Sequence, residues 1–578
     1  MSKQRIPLVI PATDSTEIPT ISDSSQSSRQ GSSSTERQLL PTGRVVRRHA
    51  LHDAEILRQA PATRRIDFVS QLPFELVSSL ILPDVLSLPY YHAFPYLQVC
   101  KRWRQRVLQS SQLHYKSFYQ LTQGDMNLMV AYAPYLYKIE FGSPAPLPMN
   151  FFAKFTRLQS LSLTLSSEND MHSLYHLLKP IEHALKELCI LVSQSISYME
   201  ICLSEILQRF PNIEMFSSNH LNLAGLIARP HHKVKKLELN SVKQPLGSQD
   251  VITLLERFPS LEHLVLPRCQ DSSPLAIMDQ YCPALGSLSY MMTGPPGPLL
   301  FGEPAINTAG FHTLNIAAGD NFNVQHLIHL LKAHCDTLVN FHLQDKINHQ
   351  SNMTHFLPEQ GAVFKKLNKL SFYPHEANDG SALVQWILKR VPNVSEIQVT
   401  KCNIDDKDVY EAMKHAKDIK SLSFALPSPS LIHLLEYHAT LGHQSSLNSL
   451  SIDINFSGEH SARVLNAVAR LSNLRDLFLQ LRGAVLGDEF VAFIENMARG
   501  CPSLEELIME SPVEFPPSII AKFPLYPNLQ ELTLGSPNIW DECLLQLFKC
   551  PSLSALFIDR ENMQDHVAAE LVELTGEE

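Results

Sequence analysis

Residues 501–534 read CPSLEELIMESPVEFPPSIIAKFPLYPNLQELTL. One pattern occurs in them twice. Leu504/Leu507/Met509 and Leu529/Leu532/Leu534 each place apolar residues at offsets 0, +3 and +5, and each has a proline two residues upstream, Pro502 and Pro527. Apolar-x-apolar alternation is the mark of a strand with one buried face. A strand that recurs at a near-constant interval marks a repeat array, and a repeat decides the whole architecture.

The pattern extends far upstream of this stretch. Its copies begin at Leu136, Leu158, Leu185, Ile213 (a poor copy with Phe216), Val234, Leu261, Leu285, Phe311, Leu338, Leu367, Val394, Ile419, Leu447 and Leu474, and one more follows at Leu553. The seventeen anchors lie about 26 residues apart, with spacings from 21 to 30. In a chain that is 44% apolar the three-point template alone matches by chance at roughly 8% of positions, so the regular spacing carries the weight. Proline supplies an independent mark: it stands two residues before seven anchors, at Pro211, Pro259, Pro283, Pro392, Pro502, Pro527 and Pro551. Between anchors, Val251/Leu254/Leu255/Phe258 and Phe490/Phe493/Ile494/Met497/Cys501 fall on single helical faces. The proline that follows ends each such helix. Each unit is therefore a helix, a turn and a short strand that cannot bury its own apolar face, and stacking makes one continuous core.

These residues resemble the leucine-rich-repeat family, in its longer form with a helix on the convex side; Cys282, Cys501 and Cys550, each in a Cys-Pro-x-Leu sequence, look like its cysteine-containing subtype. The resemblance covers residues 130–563 and implies an α/β horseshoe solenoid of about 17 repeats, parallel strands inside and helices outside. The 85 leucines among 578 residues agree with it. One departure is the stretch 291–305, where Gly294-Pro295-Pro296-Gly297-Pro298 reads as a loop in place of a helix.

Composition narrows the function classes. With 48 basic and 58 acidic residues the net charge is −10, which provides no basic field for nucleic-acid phosphates. No stretch approaches a membrane span, and the start Met1-Ser2-Lys3 has no apolar leader segment, so a cytoplasmic or nuclear location is expected. The ten cysteines show no CxxC pair and read as single buried thiols. Residues 12–36 hold 13 Ser or Thr among 25, so 1–62 is expected to be a disordered tail. Its hydroxyls offer phosphorylation sites, and Arg44, Arg47 and Arg48 form a small basic cluster of the kind found in nuclear signals. The simpler reading of both is a solvated tail.

Between tail and array, residues 66–118 read IDFVSQLPFELVSSLILPDVLSLPYYHAFPYLQVCKRWRQRVLQSSQLHYKSF. Pro73 suits a helix start, Glu75 favours the positive end of the helix dipole, and Leu76/Leu80 form an i, i+4 seam after Leu72. Val99, Cys100 and Trp103 make a second seam. These residues resemble an F-box, here given the bounds 65–120 as a small all-α module. The middle departs from the family: Pro83, Pro89 and Pro95 lengthen the usual connection. The resemblance implies that Leu72, Pro73, Glu75, Leu76, Leu80, Val99, Cys100 and Trp103 dock a Skp-family adaptor, and through it a cullin scaffold. The chain would then be the non-catalytic substrate receptor of an SCF-type ubiquitin ligase, raising the effective concentration of a target lysine near a separate conjugating enzyme. Two alternatives remain: the segment is a helical cap for the solenoid, and the chain is a repeat scaffold with no ubiquitin-ligase role.

No motif for chemistry is present: GxxxxGK[ST], HExxH and GxSxG are absent, and no cofactor is implied. His326, His329 and His334-Cys335 stand near metal-ligand spacing, but on a helix carrying Leu327, Ile328 and Leu331 they read as its polar face. His231-His232 reads as a loop pair, and the Asn-x-Ser/Thr sequons at Asn352, Asn393 and Asn455 as coincidences without a leader.

Alternation along each strand puts offsets +2, +4 and +6 on the concave face. In the last repeats these are Asp476, Phe478, Glu506, Ile508, Glu510, Glu531, Thr533, Phe557 and Asp559. Earlier strands offer a neutral floor of Ser287, Ser289, Thr313, Asn315, Asn340, His342 and Ser371. The candidate substrate site is thus Asp476, Phe478, Glu506, Ile508, Glu531 and Phe557, apolar anchors among carboxylates suited to a basic-apolar segment of a protein target. A C-terminal cap, residues 564–578, folding over the same aromatics is the competing reading.

Overall fold

The computed structural model describes residues 113–117 and, between 122 and 559, all but a series of inter-element stretches, of which 293–309 and 346–361 are the longest. The proposed adaptor-binding residues, the 1–62 tail, the 564–578 cap and most of the 291–305 loop lie outside the described residues. Beside a two-stranded parallel sheet of Ile201–Cys202 and Leu221–Asn222, the described residues form one parallel sheet of eighteen strands. They are β1 (Leu113–Ser117), β2 (Leu136–Phe141), β3 (Ser160–Leu165), β4 (Glu187–Val192), β5 (Met215–Ser218) and β6 (Lys236–Leu239). Next come β7 (His263–Cys269), β8 (Ser287–Met292), β9 (Thr313–Ala318), β10 (Asn340–Asp345), β11 (Lys369–Pro374) and β12 (Glu396–Val399). The last are β13 (Ser421–Phe424), β14 (Ser449–Asn455), β15 (Asp476–Arg482), β16 (Glu506–Glu510), β17 (Glu531–Gly535) and β18 (Ala555–Asp559). Each pairs with its sequence neighbour, so the fold is an α/β repeat array built on one long parallel sheet.

All seventeen anchors lead into a strand of this sheet. The anchor triplets from Leu136 through Leu534 are buried, none more than 6% exposed. Full burial of one such side chain is worth about 1.5–3 kcal/mol, and the regular stacking of these side chains is what no single repeat could supply. Only at the last repeat does the seal weaken, where Leu553 is half-buried and Leu556 is 8% exposed.

Backbone chemistry locks the register. The carbonyl one residue past an anchor accepts two N–H groups from the next repeat: Arg475 from Glu505 and Glu506 at 2.8 and 2.9 Å, Glu505 from Gln530 and Glu531 at 2.8 and 3.0 Å. Side chains one residue before an anchor reach back to the preceding turn. Asn212 donates to the His183 carbonyl at 2.7 Å, Asn393 to Lys365 at 2.8 Å, Asn528 to Pro502 at 2.9 Å, and Asn473 to Ser445 at 2.6 Å. Turn carbonyls that a helix end leaves without partners are satisfied this way. Asn393, which opens a sequon, is occupied in this role.

The helices Ser248–Arg257 and Asp488–Gly500 bury the faces expected of them, Val251/Leu254/Leu255 and Phe490/Phe493/Ile494/Met497. Other repeats have only short turns, such as Phe151–Lys154 and Phe523–Leu525. Two thiols three residues before an anchor close the end of the preceding repeat's helix, Cys282 Sγ to the Phe258 carbonyl at 3.3 Å and Cys501 Sγ to Val468 at 3.3 Å, and Tyr526 Oη at the same position donates to the Ile494 carbonyl within the preceding helix at 2.7 Å. Burial pushes the Cys282 and Cys501 thiols up to about 12, as befits packed, unreactive groups.

Two expectations need correction. Residues 113–117, assigned with the helical module, form β1, paired in parallel with β2 from Leu113↔Leu136 to Ser117↔Phe141; Leu113 and Tyr115 are buried, so the sheet begins before residue 130. His326 and His334 are not a polar face either. The turn Ser273–Ala276 packs on their helix, leaving His326 1% and His334 4% exposed. His326 Nδ1 meets Ser272 Oγ at 2.9 Å, and His334 Nε2 meets Asp279 Oδ2 at 2.8 Å. Among the described residues no group of three His, Cys, Asp or Glu is placed to hold a metal ion.

Candidate functional site

The helices cover one face of the sheet; residues at offsets +2, +4 and +6 look out from the other. Because the strands are parallel and in register, equal offsets form continuous rows across neighbouring repeats. At the C-terminal end the +2 row runs Asp476, Glu506, Glu531, Ala555. The +4 row beside it runs Phe478, Ile508, Thr533, Phe557. The +6 row runs Asp453, Gln480, Glu510, Gly535. Strands lie about 4.8 Å apart and offsets differing by two lie about 6.6 Å apart, so the six candidate residues share one small patch. It is an apolar lane with carboxylates along both margins.

Phe478, Ile508 and Phe557 are half-buried, open to solvent on their outer surfaces, while Glu510 is exposed. Asp453, a margin residue the sequence reading passed over, takes Arg482 Nη2 at 2.7 Å. Its carboxyl is nonetheless raised: burial acts first, Arg482 pulls it down, and the charge of Glu510 pushes it up again. The signal for Asp453 was present as the +6 position of the Leu447 repeat.

The opposite end of the sheet is built differently. Glu140 receives Lys138 at 2.7 Å and Lys116 at 3.1 Å, with His114 at 3.6 Å. Glu238 receives Lys236 at 2.9 Å and His263 at 3.4 Å. Both carboxyls are held low by these cations against the cost of burial. Carboxylates there are matched within the chain. At the C-terminal end acids neighbour acids, Asp476 with Glu506 and Glu506 with Glu531. Like charges directly opposite on adjacent strands disfavour the fold, and this row sets such acids beside an apolar strip.

The neutral floor stands mid-array. Asn340 donates to Thr313 Oγ1 at 3.3 Å, tying one rung, and His342 packs on Tyr373 with ring centroids 4.6 Å apart. Ser371, expected on this floor, is only 3% exposed and offers no binding surface.

No protein-family model matches the chain, and no curated protein matches its sequence. Solved structures do resemble it. The TLR13–ssRNA13 complex is 14% identical over 75% of this chain and 64% of that one, with a TM-score of 0.42. An internalin (inlF) of Listeria monocytogenes is 13% identical over 74% and 88%, TM-score 0.25, and the yeast Rad7–Elc1 complex 14% identical over 85% and 91%, TM-score 0.25. The chain thus spans less than two thirds of the first structure's length. Identities and scores this low say nothing of function.

Proposed function

We propose that this chain is a non-catalytic receptor that holds a basic-apolar segment of a protein target on the C-terminal end of its open sheet face. The observation that carries the proposal is the pair of register rows Asp476/Glu506/Glu531 and Phe478/Ile508/Thr533/Phe557, side by side on neighbouring strands. Half-buried aromatic and aliphatic groups ringed by charge are the makings of a binding hot spot with electrostatic steering. On the F-box resemblance of residues 66–118, the receptor serves an SCF-type ubiquitin ligase, with Leu72, Pro73, Glu75, Leu76, Leu80, Val99, Cys100 and Trp103 meeting a Skp-family adaptor.

A second reading, a repeat scaffold with no ubiquitin link, draws on β1: the trailing residues 113–117 of the module belong to the sheet, as they would if the segment before them were a cap. Mixing the purified chain with a Skp-family adaptor and measuring mass by light scattering decides between the two. A complex lost in the Leu76→Asp/Trp103→Ala variant supports the ligase receptor. A folded wild type that forms no complex makes the scaffold the better reading.

A further inference from the structure

One joint in the helix layer skips a repeat. Toward the C-terminus each helix packs on the next, as Pro429–Leu441 does on Ser461–Val468. The turn Ser273–Ala276, which follows β7, also meets the helix Val324–Ala333, which follows β9 two repeats on. Two side-chain bonds close this joint. His326 Nδ1 meets Ser272 Oγ at 2.9 Å, and His334 Nε2 meets Asp279 Oδ2 at 2.8 Å while its Nδ1 accepts the Phe311 N–H at 3.3 Å. We propose that the joint is a pH-sensitive seam: protonation of His326 parts the turn from the helix locally while the sheet beneath stays closed.

The His326 ring is buried, and its Nε2 has no hydrogen-bond partner. A neutral imidazole tolerates this, since in either tautomer one nitrogen bonds Ser272 and the other is uncharged. Protonation makes both nitrogens donors and leaves a buried charge with an N–H that nothing accepts. Among the described residues, the charged groups facing the ring relieve this only in part. Asp271, from the turn, already accepts the Ser273 N–H at 2.8 Å and the hydroxyls of Ser248 and Ser273. Asp279 is engaged by His334, and His329 lies one turn along the same helix. Burial, the largest influence, holds the His326 imidazole below the ordinary histidine range; Asp271 draws it up and His329 pushes it down. In the parted joint the ring titrates as a free histidine, near 6.5. The neutral ring's hold on the joint is therefore complete above 6.5 and is lost as pH falls below it. While the closed ring stays neutral, the opening equilibrium grows about tenfold between pH 7.5 and 5.5.

The test is hydrogen–deuterium exchange of the full-length chain at pH 7.5 and 5.5, read by mass spectrometry and corrected for the intrinsic pH dependence of exchange. Peptides spanning 270–282 and 324–335 are expected to lose protection about tenfold at the lower pH, and those spanning 461–468 to keep theirs. His326→Gln, which has no proton to gain, is expected to show no such loss. Ser272→Ala keeps the titrating ring, and is expected to start less protected and still respond, which preserves the test if His326→Gln does not fold. Exchange at the C2–H of the wild-type His326 ring reads its own titration, expected below 6.5. Five results would each overturn the proposal: an unchanged wild type, an equal loss in His326→Gln, a loss spread evenly over the array, no response in Ser272→Ala, or a His326 ring that titrates at or above 6.5.

Discussion

Phe478 and Ile508 are register partners on adjacent parallel strands, set between the Asp476–Glu506 rung and the Gln480–Glu510 rung. Neither belongs to the buried core, which runs beneath them through Leu477, Leu479, Leu507 and Met509. Removing both side chains by Phe478→Ala/Ile508→Ala is therefore expected to spare the fold and cost affinity for a basic-apolar ligand tenfold or more, about 1.4 kcal/mol. Urea unfolding and ligand titration of the same preparation check the two halves. Unchanged affinity in a folded variant removes the pair from any binding role.

The carboxylate row sets like charges on neighbouring strands. Glu531 faces Glu506 across the register, so Glu531→Gln is expected to raise stability by a few tenths of a kcal/mol at low salt. The gain should vanish near 1 M salt, where the screening length falls to about 3 Å. The same substitution is expected to weaken a basic ligand. Stability and affinity that move together would show that the row serves packing.

His438 makes the array acid-sensitive. Burial lowers its pKa to about 4, its Nδ1 meets Ser445 Oγ at 3.0 Å, and its Nε2 has no partner. The unfolded chain takes up this proton near pH 6.5 and the folded chain only near 4, so the stability from the neutral ring is complete above 6.5 and is lost as pH falls through that window. The loss is on the order of 3 kcal/mol. In urea melts between pH 7 and 4, His438→Gln should show a correspondingly shallower decline than wild type. An identical decline would acquit this residue.

Gly500 ends its helix against the neighbouring repeat. A Cβ there would collide with the Ala469 carbonyl oxygen and touch its carbon at 3.0 Å, backbone atoms that cannot swing aside. Helix propensity alone would make Gly500→Ala stabilising by up to about 1 kcal/mol. Overpacking costs about 1–3 kcal/mol and wins. The urea midpoint of the variant should fall; a rise would mean that the two repeats can move apart freely.

The sheet was legible in the sequence because its core is periodic. Leu504, Leu507 and Met509 recur as a pattern since each strand must bury the same face, and Pro502 marks where the helix has to stop. The lane was legible for the same reason, as strict alternation fixes which side Phe478 faces. Features that depend on a neighbouring repeat were not. Asn473 and Asn528 look like ordinary turn residues until the preceding turn's carbonyls are in place. His326 shares a helix with polar neighbours, and only the turn folded over it makes it buried. β1 was missed because Leu-His-Tyr-Lys-Ser has a strand's alternation but follows a helical pattern and lacks the upstream proline.

The most direct measurement is an unbiased peptide selection on the purified full-length chain, using random displayed peptides and, in parallel, the Glu506→Lys/Glu531→Lys variant. If the lane is a receptor site, wild type enriches sequences that interleave Arg or Lys with large apolar residues, and the charge-reversed variant does not. Enrichment of acidic peptides by the wild type, or of the same basic-apolar peptides by both proteins, would contradict it.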